Sequence, residues 1–266
     1  MTYEFKLTGD LKLLGSYPTW AQDLVTACQP AKHDVLNHEV WQLMAKATID
    51  ATATRNFMVG IWPLIERFPG YMANNLLKTQ YGRSQGDNMA RRWLVRNIRV
   101  EQNHAEYWLD WAEGVGVDRG DVLRGIKPLG MEVLPNWCEE ISRNSGSSID
   151  LAAGMIATNY AIEGVTGEWA AIVHGSDVYK SSLKSHLSKD EYASTMRWLK
   201  LHAQYDDEHP WEALEIVCAL MGENPSATDI AYLQRCVVRS YTAMRIAGDV
   251  CIYGMGRRVR EDRAAA

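Results

Sequence analysis

The sequence predicts an all-α fold built as a single domain over residues 1–266. Apolar residues recur at helical spacing in almost every long segment, and no segment alternates cleanly between apolar and polar residues. No linker of domain-boundary character and no internal repeat divides the chain. Hydrophobic residues make up 47% of it, enough for a substantial core. We therefore expect about eight to ten helices around a common interior.

Prolines, glycines and capping residues set the predicted limits in the first half of the chain. Helices are predicted over residues 17–29, 33–46, 50–67, 69–80, 87–111 and 117–127. Pro30 is expected to interrupt the chain after the first helix, Pro63 to kink the third without ending it, and Pro69 to start the fourth. The fifth helix stops at Gly114-Val115-Gly116.

In the second half, helices are predicted over residues 131–144, 148–174, 189–209, 211–221 and 226–260, with 176–187 irregular or a short helix. Ser188 and Glu191 form a capping box at the start of 189–209. The last helix carries one apolar stripe that includes Tyr241 and Met244. We expect this stripe to pack in the core, with part of it lining a pocket.

Composition excludes several classes of function. The net charge of −5 argues against general nucleic-acid binding. No window of about 18 apolar residues could span a membrane, and residues 1–10 lack a basic region followed by an apolar run, so we expect no signal peptide there. Five scattered cysteines without a CxxC pair indicate reduced, buried thiols. We therefore expect a cytoplasmic protein.

The most informative stretch places two imidazoles and a carboxylate on one helix face. His202, Asp206 and His209 are four and three residues apart, a spacing that stacks side chains on an α-helix. These ligand types suit iron, zinc or manganese. The alternative interpretation is a solvated helix face with ordinary surface histidines.

Two other helices supply groups of the same kind. Glu101 and His104 are three residues apart, the Glu-x-x-His unit that carboxylate-bridged di-iron bundles use. Glu163 lies among apolar and small residues, where an unpaired carboxylate is costly to bury. Its alternative role is as the partner of a buried arginine. Gly164 and Gly167 indicate close approach by another helix or a ligand.

Together these groups resemble a known family. Glu101-x2-His104, Glu163 and His202-x3-Asp206-x2-His209, in this order on an all-helical chain, are similar to the haem-oxygenase-like di-iron oxidases. That family is related in fold to the TenA thiaminases and the PqqC cofactor oxidase. The similarity covers most of the chain, above all residues 90–108, 159–169 and 198–215.

Within the family, the closest resemblance is to the undecene-forming fatty-acid decarboxylases (UndA). Several other members place the first glutamate seven residues before its histidine. Here that position is Asn97, so the spacing of Glu101 favours the decarboxylase subgroup.

The resemblance implies a site with two irons cycling between Fe(II) and Fe(III). One iron is held by Glu101, His104 and His202, and the other by Glu163, Asp206 and His209. O2 is the cosubstrate and an external reductant supplies electrons. The substrate implied is an apolar carboxylic acid, a medium-chain fatty acid that loses a β-hydrogen and CO2 to become a terminal alkene.

Apolar residues on the ligand-bearing faces are the candidates for the substrate pocket, because the protein has to hold an alkyl chain and exclude water. They are Leu94, Ile98, Ala105, Trp108, Ile156, Tyr160, Tyr241 and Met244.

Three alternatives stay open at this point. A sister oxidase of the same fold would act on an amino acid. A metal-free TenA-type hydrolase would use Cys138 as nucleophile with Glu208 beside it. A non-enzymatic role gains no support from charge, since Arg91, Arg92 and neighbouring arginines are followed by acidic residues. A homodimer is compatible with all of these readings.

Overall fold

The computed structural model describes residues 14–205 and 209–254, and within these ranges it contains helices and no strand. A short 3-10 turn at Leu14–Ser16 precedes the first helix, and a π-helical segment, Ile156–Ile162, joins α8 to α9. The α-helices are α1 Thr19–Leu36, α2 Glu39–Ala45, α3 Ala51–Lys78, α4 Gln85–Glu101, α5 His104–Gly114, α6 Arg119–Arg124, α7 Val133–Arg143, α8 Ser148–Met155, α9 Glu163–Gly175, α10 Asp177–Lys184, α11 Lys189–Thr195, α12 Arg197–Tyr205, α13 His209–Met221 and α14 Ala227–Tyr253.

Two prolines that were predicted to mark helix ends lie inside continuous helices. Helix α1 runs through Pro30, and α3 runs through both Pro63 and Pro69. The predicted stop at Pro30 and the predicted start at Pro69 are therefore wrong. A proline inside a helix costs about 3 kcal/mol. Burial of Phe68 and Tyr71 just beyond the prolines offsets that cost, at roughly 1.5–3 kcal/mol for a buried side chain of this size.

Other predicted helices are divided. The 87–111 helix breaks at Gln102 and Asn103, and the 189–209 helix breaks at Met196. The π-helical segment divides 148–174. Helix α14 ends at Gly254, whose φ of 62° is a conformation that glycine adopts without strain. The capping box is confirmed, because Ser188 and Glu191 exchange both of its hydrogen bonds.

The helices pack around one continuous hydrophobic cluster that reaches from Tyr17 to Cys251. Helix α12 lies against α9, α13 lies against α4 and the π-helical segment, and α14 contacts α1, α3 and the same segment. No helix in the described part of the chain has the length and apolar character needed to cross a membrane. The elements that carry the predicted ligands therefore meet in the interior.

Candidate metal centre

The structure brings the described members of the predicted ligand set together. One oxygen of Glu101, one of Glu163 and a ring nitrogen of His209 lie within 4.8 Å of one another. His104 and His202 adjoin them, with their ring centroids 4.7 Å apart. All but His209 are buried, and His209 is half-buried. Asp206 is a predicted ligand that lies outside the described residues.

Glu101 and His104 face each other across a helix break rather than along one continuous helix. Glu101 ends α4, His104 begins α5, and a turn at Gln102 and Asn103 separates them. The Nδ1 atom of His104 lies 2.7 Å from Oε2 of Glu101. The contact lacks hydrogen-bond geometry, and Nδ1 has no hydrogen-bond partner in the described part of the chain. The two buried atoms are close enough for one cation to bind both.

Glu163 is held by polar contacts on both carboxylate oxygens. Its Oε1 lies 3.1 Å from Nδ1 of His209, and its Oε2 accepts a hydrogen bond of 3.0 Å from Asn159 Nδ2. The hydroxyl of Thr158 in turn donates to Asn159 Oδ1 at 3.0 Å. No arginine pairs with Glu163 in the described ranges, so its expected alternative role is not seen.

A π-helical segment leads directly into Glu163, and Asn159 within it lies four residues before Glu163, a spacing at which helical side chains meet. Residues Ile156–Ile162 are wound more loosely than an α-helix, which frees backbone carbonyls. The hydroxyl of Ser240 donates to one of these, Ala157 O, at 2.8 Å. Such π-helical turns occur frequently at functional sites.

His202 is oriented by its own helix. Its Nδ1–H donates to the carbonyl oxygen of Trp198 at 2.8 Å. This hydrogen bond selects the tautomer in which Nε2 carries the lone pair, the form in which histidine binds a metal. The ring also stacks on the indole of Trp198, with centroids 3.7 Å apart.

The electrostatics of the cluster are those of carboxylates and imidazoles buried together. Burial raises the pKa of Glu163 more than His209 lowers it. Burial also raises the pKa of Glu101, but the nearby histidines, His104 first, lower it overall. Burial, together with His104, lowers the pKa of His202 to about 3. A cation at this point would hold both carboxylates ionised.

Helix α13 is fixed against α4 and α9 next to the cluster. Glu212 Oε2 accepts hydrogen bonds of 2.6 Å from Trp93 Nε1 and from Arg96 Nη2. Gly164 allows close approach, as expected, since a Cβ there would lie 3.1 Å from the ring of Pro210. These contacts set the distance between Glu163 and His209.

A narrow apolar cavity of about 30 Å³ adjoins the cluster, about the volume of one water molecule. It is lined by Leu64, Ile65, Phe68, Glu101, His104, Ile162, Glu163, Thr166, Trp198 and His202. A second cavity of about 30 Å³ shares Leu64, Ile65, Thr166 and Trp198 with it and extends towards α14.

Two of the eight predicted pocket residues, Trp108 and Met244, line the second cavity. Neither cavity is lined by Leu94, Ile98, Ala105, Ile156, Tyr160 or Tyr241. Tyr160 instead packs against Trp211, with ring centroids 6.3 Å apart.

The sequence analysis missed the contribution of α3. Leu64, Ile65 and Phe68 lie between its two internal prolines and line the cavity beside the cluster. The sequence signal for this contribution was the pair Pro63 and Pro69 within an apolar helical stretch, because a helix that bends tolerates internal prolines.

The predicted nucleophile of the hydrolase alternative lies apart from this cluster. Cys138 on α7 is fully buried and lines neither cavity. Burial raises the pKa of its thiol far above the usual range, which disfavours the thiolate. Glu208, its proposed partner, lies outside the described residues.

Comparison with known proteins identifies the family. Residues 55–241 match the family model described as an iron-containing redox enzyme. The chain belongs to this family. Its donor set fits iron, because buried carboxylates and imidazoles converge at one point. No curated protein matches the chain.

Solved structures confirm the predicted all-α, haem-oxygenase-like fold. A TenA homolog from Pseudomonas syringae pv. tomato is 46% identical, with a TM-score of 0.85 over 93% of this chain and 98% of that one. A domain of unknown function with a heme oxygenase-like fold from Shewanella denitrificans is 16% identical, with a TM-score of 0.63 over 92% and 94%. A TenA homologue from Pyrococcus furiosus is 15% identical, with a TM-score of 0.62 over 88% and 100%.

Proposed function

We propose that this iron-containing redox enzyme is an O2-dependent oxidase with a two-iron site. The observation that carries the proposal is the convergence of Glu101, Glu163 and His209 within 4.8 Å in a buried position. One iron would be held by Glu101, His104 and His202, and the other by Glu163, His209 and Asp206.

When bound, iron supplies one-electron chemistry with O2; the chain supplies orientation and a dry site. Asn159 fixes one oxygen of Glu163, and the carbonyl of Trp198 fixes the ring of His202. Leu64, Phe68 and Ile162 exclude water from the adjacent cavity. Because that cavity has the volume of about one water molecule, these side chains have to move to admit a substrate.

We further propose an apolar carboxylic acid as substrate, specifically a medium-chain fatty acid. The acid would lose a β-hydrogen and its carboxyl group, giving a terminal alkene and CO2. O2 takes the two electrons released and two more from an external reductant, and is reduced to two molecules of water. Support comes from the apolar lining of the cavity beside the ligands and from the resemblance to the decarboxylase subgroup.

The test begins with metal-free protein loaded anaerobically with Fe(II). O2 is then admitted with each saturated fatty acid from octanoic to hexadecanoic, and O2 uptake and headspace alkenes are measured. We expect O2 uptake and one alkene, one carbon shorter than the acid. Uptake with none of the acids contradicts the decarboxylase assignment. If O2 is taken up only with an amino acid, the proposed iron site stands and the proposed substrate class is wrong.

Variants test the site itself. Glu101→Ala, His104→Ala or His202→Ala should lose bound iron and turnover, since each removes a proposed ligand of one iron. Gln102→Ala is the matched control, because this exposed side chain lies between two of the ligands. Full iron content in all three ligand variants would contradict the assignment.

A second candidate is a TenA-type hydrolase that cleaves thiamin or a related aminopyrimidine. The observation in its favour is the 46% identity to the Pseudomonas syringae TenA homolog. Cys138→Ala separates the two candidates. The oxidase should keep nearly all of its activity in this variant, whereas a thiamin-cleaving activity that disappears in it would establish the hydrolase.

A further inference from the structure

A row of aromatic rings leads from the candidate metal centre to a surface cavity. His202 stacks on Trp198 with centroids 3.7 Å apart and planes at 25°. Trp198 stacks on Trp111 at 5.3 Å and 16°. The indole Nε1 of Trp111 donates a hydrogen bond of 2.7 Å to the hydroxyl of Tyr179. The proposed reaction gives these rings no task beyond packing.

The row ends where it can meet a reductant from solution. Trp111 and Tyr179 line a cavity of about 300 Å³, against about 30 Å³ for the cavity beside the ligands. Three further lining residues, Glu113, Ser182 and His186, are exposed, so this cavity opens at the surface. A small one-electron reductant fits a cavity of this size.

We propose that Trp198, Trp111 and Tyr179 form an exit route for an oxidising equivalent that arises at the iron site when no substrate consumes it. The route rests on the proposed function, because it requires iron and O2 at the cluster. It would protect the ligands His202 and His104 from oxidation during idle turnover.

Each step moves one electron towards the iron site. Trp198 gives an electron to the oxidised site and becomes a radical cation. Trp111 then reduces Trp198 by one electron and becomes a radical cation itself. Tyr179 reduces Trp111 by one electron, releases its phenolic proton to solvent and becomes a neutral tyrosyl radical. A one-electron reductant in the surface cavity, together with a proton, restores the phenol. The net change is one electron passed from that reductant to the iron site.

The hydrogen bonding of the rings gives the route its direction. Nε1 of Trp198 has no hydrogen-bond partner in the described part of the chain, so its radical cation has no base to take the proton. Burial raises the pKa of Tyr179, so its phenol is neutral and oxidation releases a proton. That proton can leave only where the residue meets solvent, at the surface cavity.

Two further tryptophans, Trp169 and Trp41, form a side branch of the row that does not reach the surface cavity. Trp169 stacks on Trp198 at 5.4 Å, and Trp41 stacks on Trp169 at 4.3 Å. Both indoles are buried, and Nε1 of Trp41 donates to the carbonyl of Val35. Trp169 also stacks on Trp111 at 6.3 Å, so a radical on this branch returns to Trp198 or passes to Trp111, and leaves through Tyr179.

The experiment uses the full chain loaded with Fe(II), exposed to O2 without any acid and freeze-quenched for electron paramagnetic resonance. Iron content and O2 uptake are measured on the same samples. We expect a tyrosyl radical that ascorbate removes. Tyr179→Phe should lose this signal and show a tryptophan radical. Tyr71→Phe is the matched control, a buried tyrosine whose hydroxyl donates to Pro135 O.

Trp111→Phe is the second variant, and it should confine the radical to Trp198 and its side branch. A tyrosyl signal that persists in Tyr179→Phe, or O2 uptake by wild-type protein without any protein radical, overturns the route and leaves the proposed function intact. A chain that binds no iron or takes up no O2 overturns both.

Discussion

At the scale of single residues, the contacts behind the proposed ligands decide how well the cluster can bind a cation. Asn159 and the carbonyl of Trp198 each hold one ligand in a fixed orientation. Such outer contacts typically change metal affinity by 10–100-fold. The Asn159 contact can be removed by mutation without removing a ligand.

Asn159→Ala should lower the affinity for Fe(II) by about 10–100-fold, because Glu163 loses the hydrogen bond that orients it. Anaerobic Fe(II) titration against a competing chelator measures this. Asn74→Ala is the matched control, since the Asn74 amide donates to Ser142 Oγ and does not contact the cluster. Equal affinities for the two variants would contradict a positioning role for Asn159.

The buried His202 should make the metal-free protein sensitive to acid. Its pKa is about 3 in the folded chain, against about 6.5 when unfolded. Between these values the unfolded chain binds more protons, so stability falls as the pH falls from about 6.5 towards 3. The slope is at most about 1.4 kcal/mol per pH unit.

His202→Gln should remove this contribution, so the difference in unfolding free energy between wild type and variant shrinks as the pH falls. Urea unfolding of the metal-free proteins at about pH 7 and about pH 5 measures it. His186→Gln, at an exposed histidine, should track wild type at both values. A difference between wild type and His202→Gln that does not change with pH would show that His202 is not the group responsible.

At the scale of elements, breaks and close approaches place the ligands. Glu101 and His104 meet across the break at Gln102 and Asn103, and the π-helical segment carries Asn159, which contacts Glu163. Helices α4 and α13 meet at Gly86, where a Cβ would lie 2.6 Å from the backbone nitrogen of Leu220.

Gly86→Ala should destabilise the fold by about 1–3 kcal/mol, because backbone atoms cannot move aside as a flexible side chain can. The two helices would separate, so iron affinity should fall as well. Gly70→Ala is the matched control: it is exposed on α3 with no atom within 4 Å of the new Cβ. Alanine there should stabilise by up to about 1 kcal/mol. Thermal unfolding of both variants measures these effects, and a neutral Gly86→Ala would argue against tight contact.

At the scale of the whole molecule, the described ligands come from three stretches that are far apart in the sequence: α4 with α5, α9, and α12 with α13. A cation bound by them would join five helices that are also held by apolar packing and by polar contacts such as those of Glu212 with Trp93 and Arg96. Its binding energy then adds to the stability of the entire fold.

Fe(II) should therefore raise the melting temperature of the metal-free protein, and chelation should reverse the change. At a free concentration about 100 times the dissociation constant, the gain is about 2.7 kcal/mol. Glu163→Gln should lose most of this gain, because it removes a charged donor from the cluster while keeping its volume. Differential scanning calorimetry under anaerobic conditions checks both. An equal shift in wild type and variant would place the iron elsewhere.

The sequence by itself determined the helical class and the types of donor residue. Helical periodicity reports which face of a segment is apolar, although residues 151–163 are buried on every face. The same periodicity singled out Glu101 with His104, and His202 with His209, as pairs on one face. The structure brings these four side chains together with Glu163. It differs from the prediction in dividing each pair between two helices: Glu101 and His104 lie on α4 and α5, and His202 and His209 lie on α12 and α13.

Only the tertiary structure decided where the helices break and what lines the site. Pro30 and Pro69 do not interrupt helices as predicted, because buried side chains beyond them offset the local cost, whereas the helix continues through Pro63 as the sequence predicted. The cavity beside the ligands is lined from α3, since neighbours in space come from segments whose separation in sequence carries no signal.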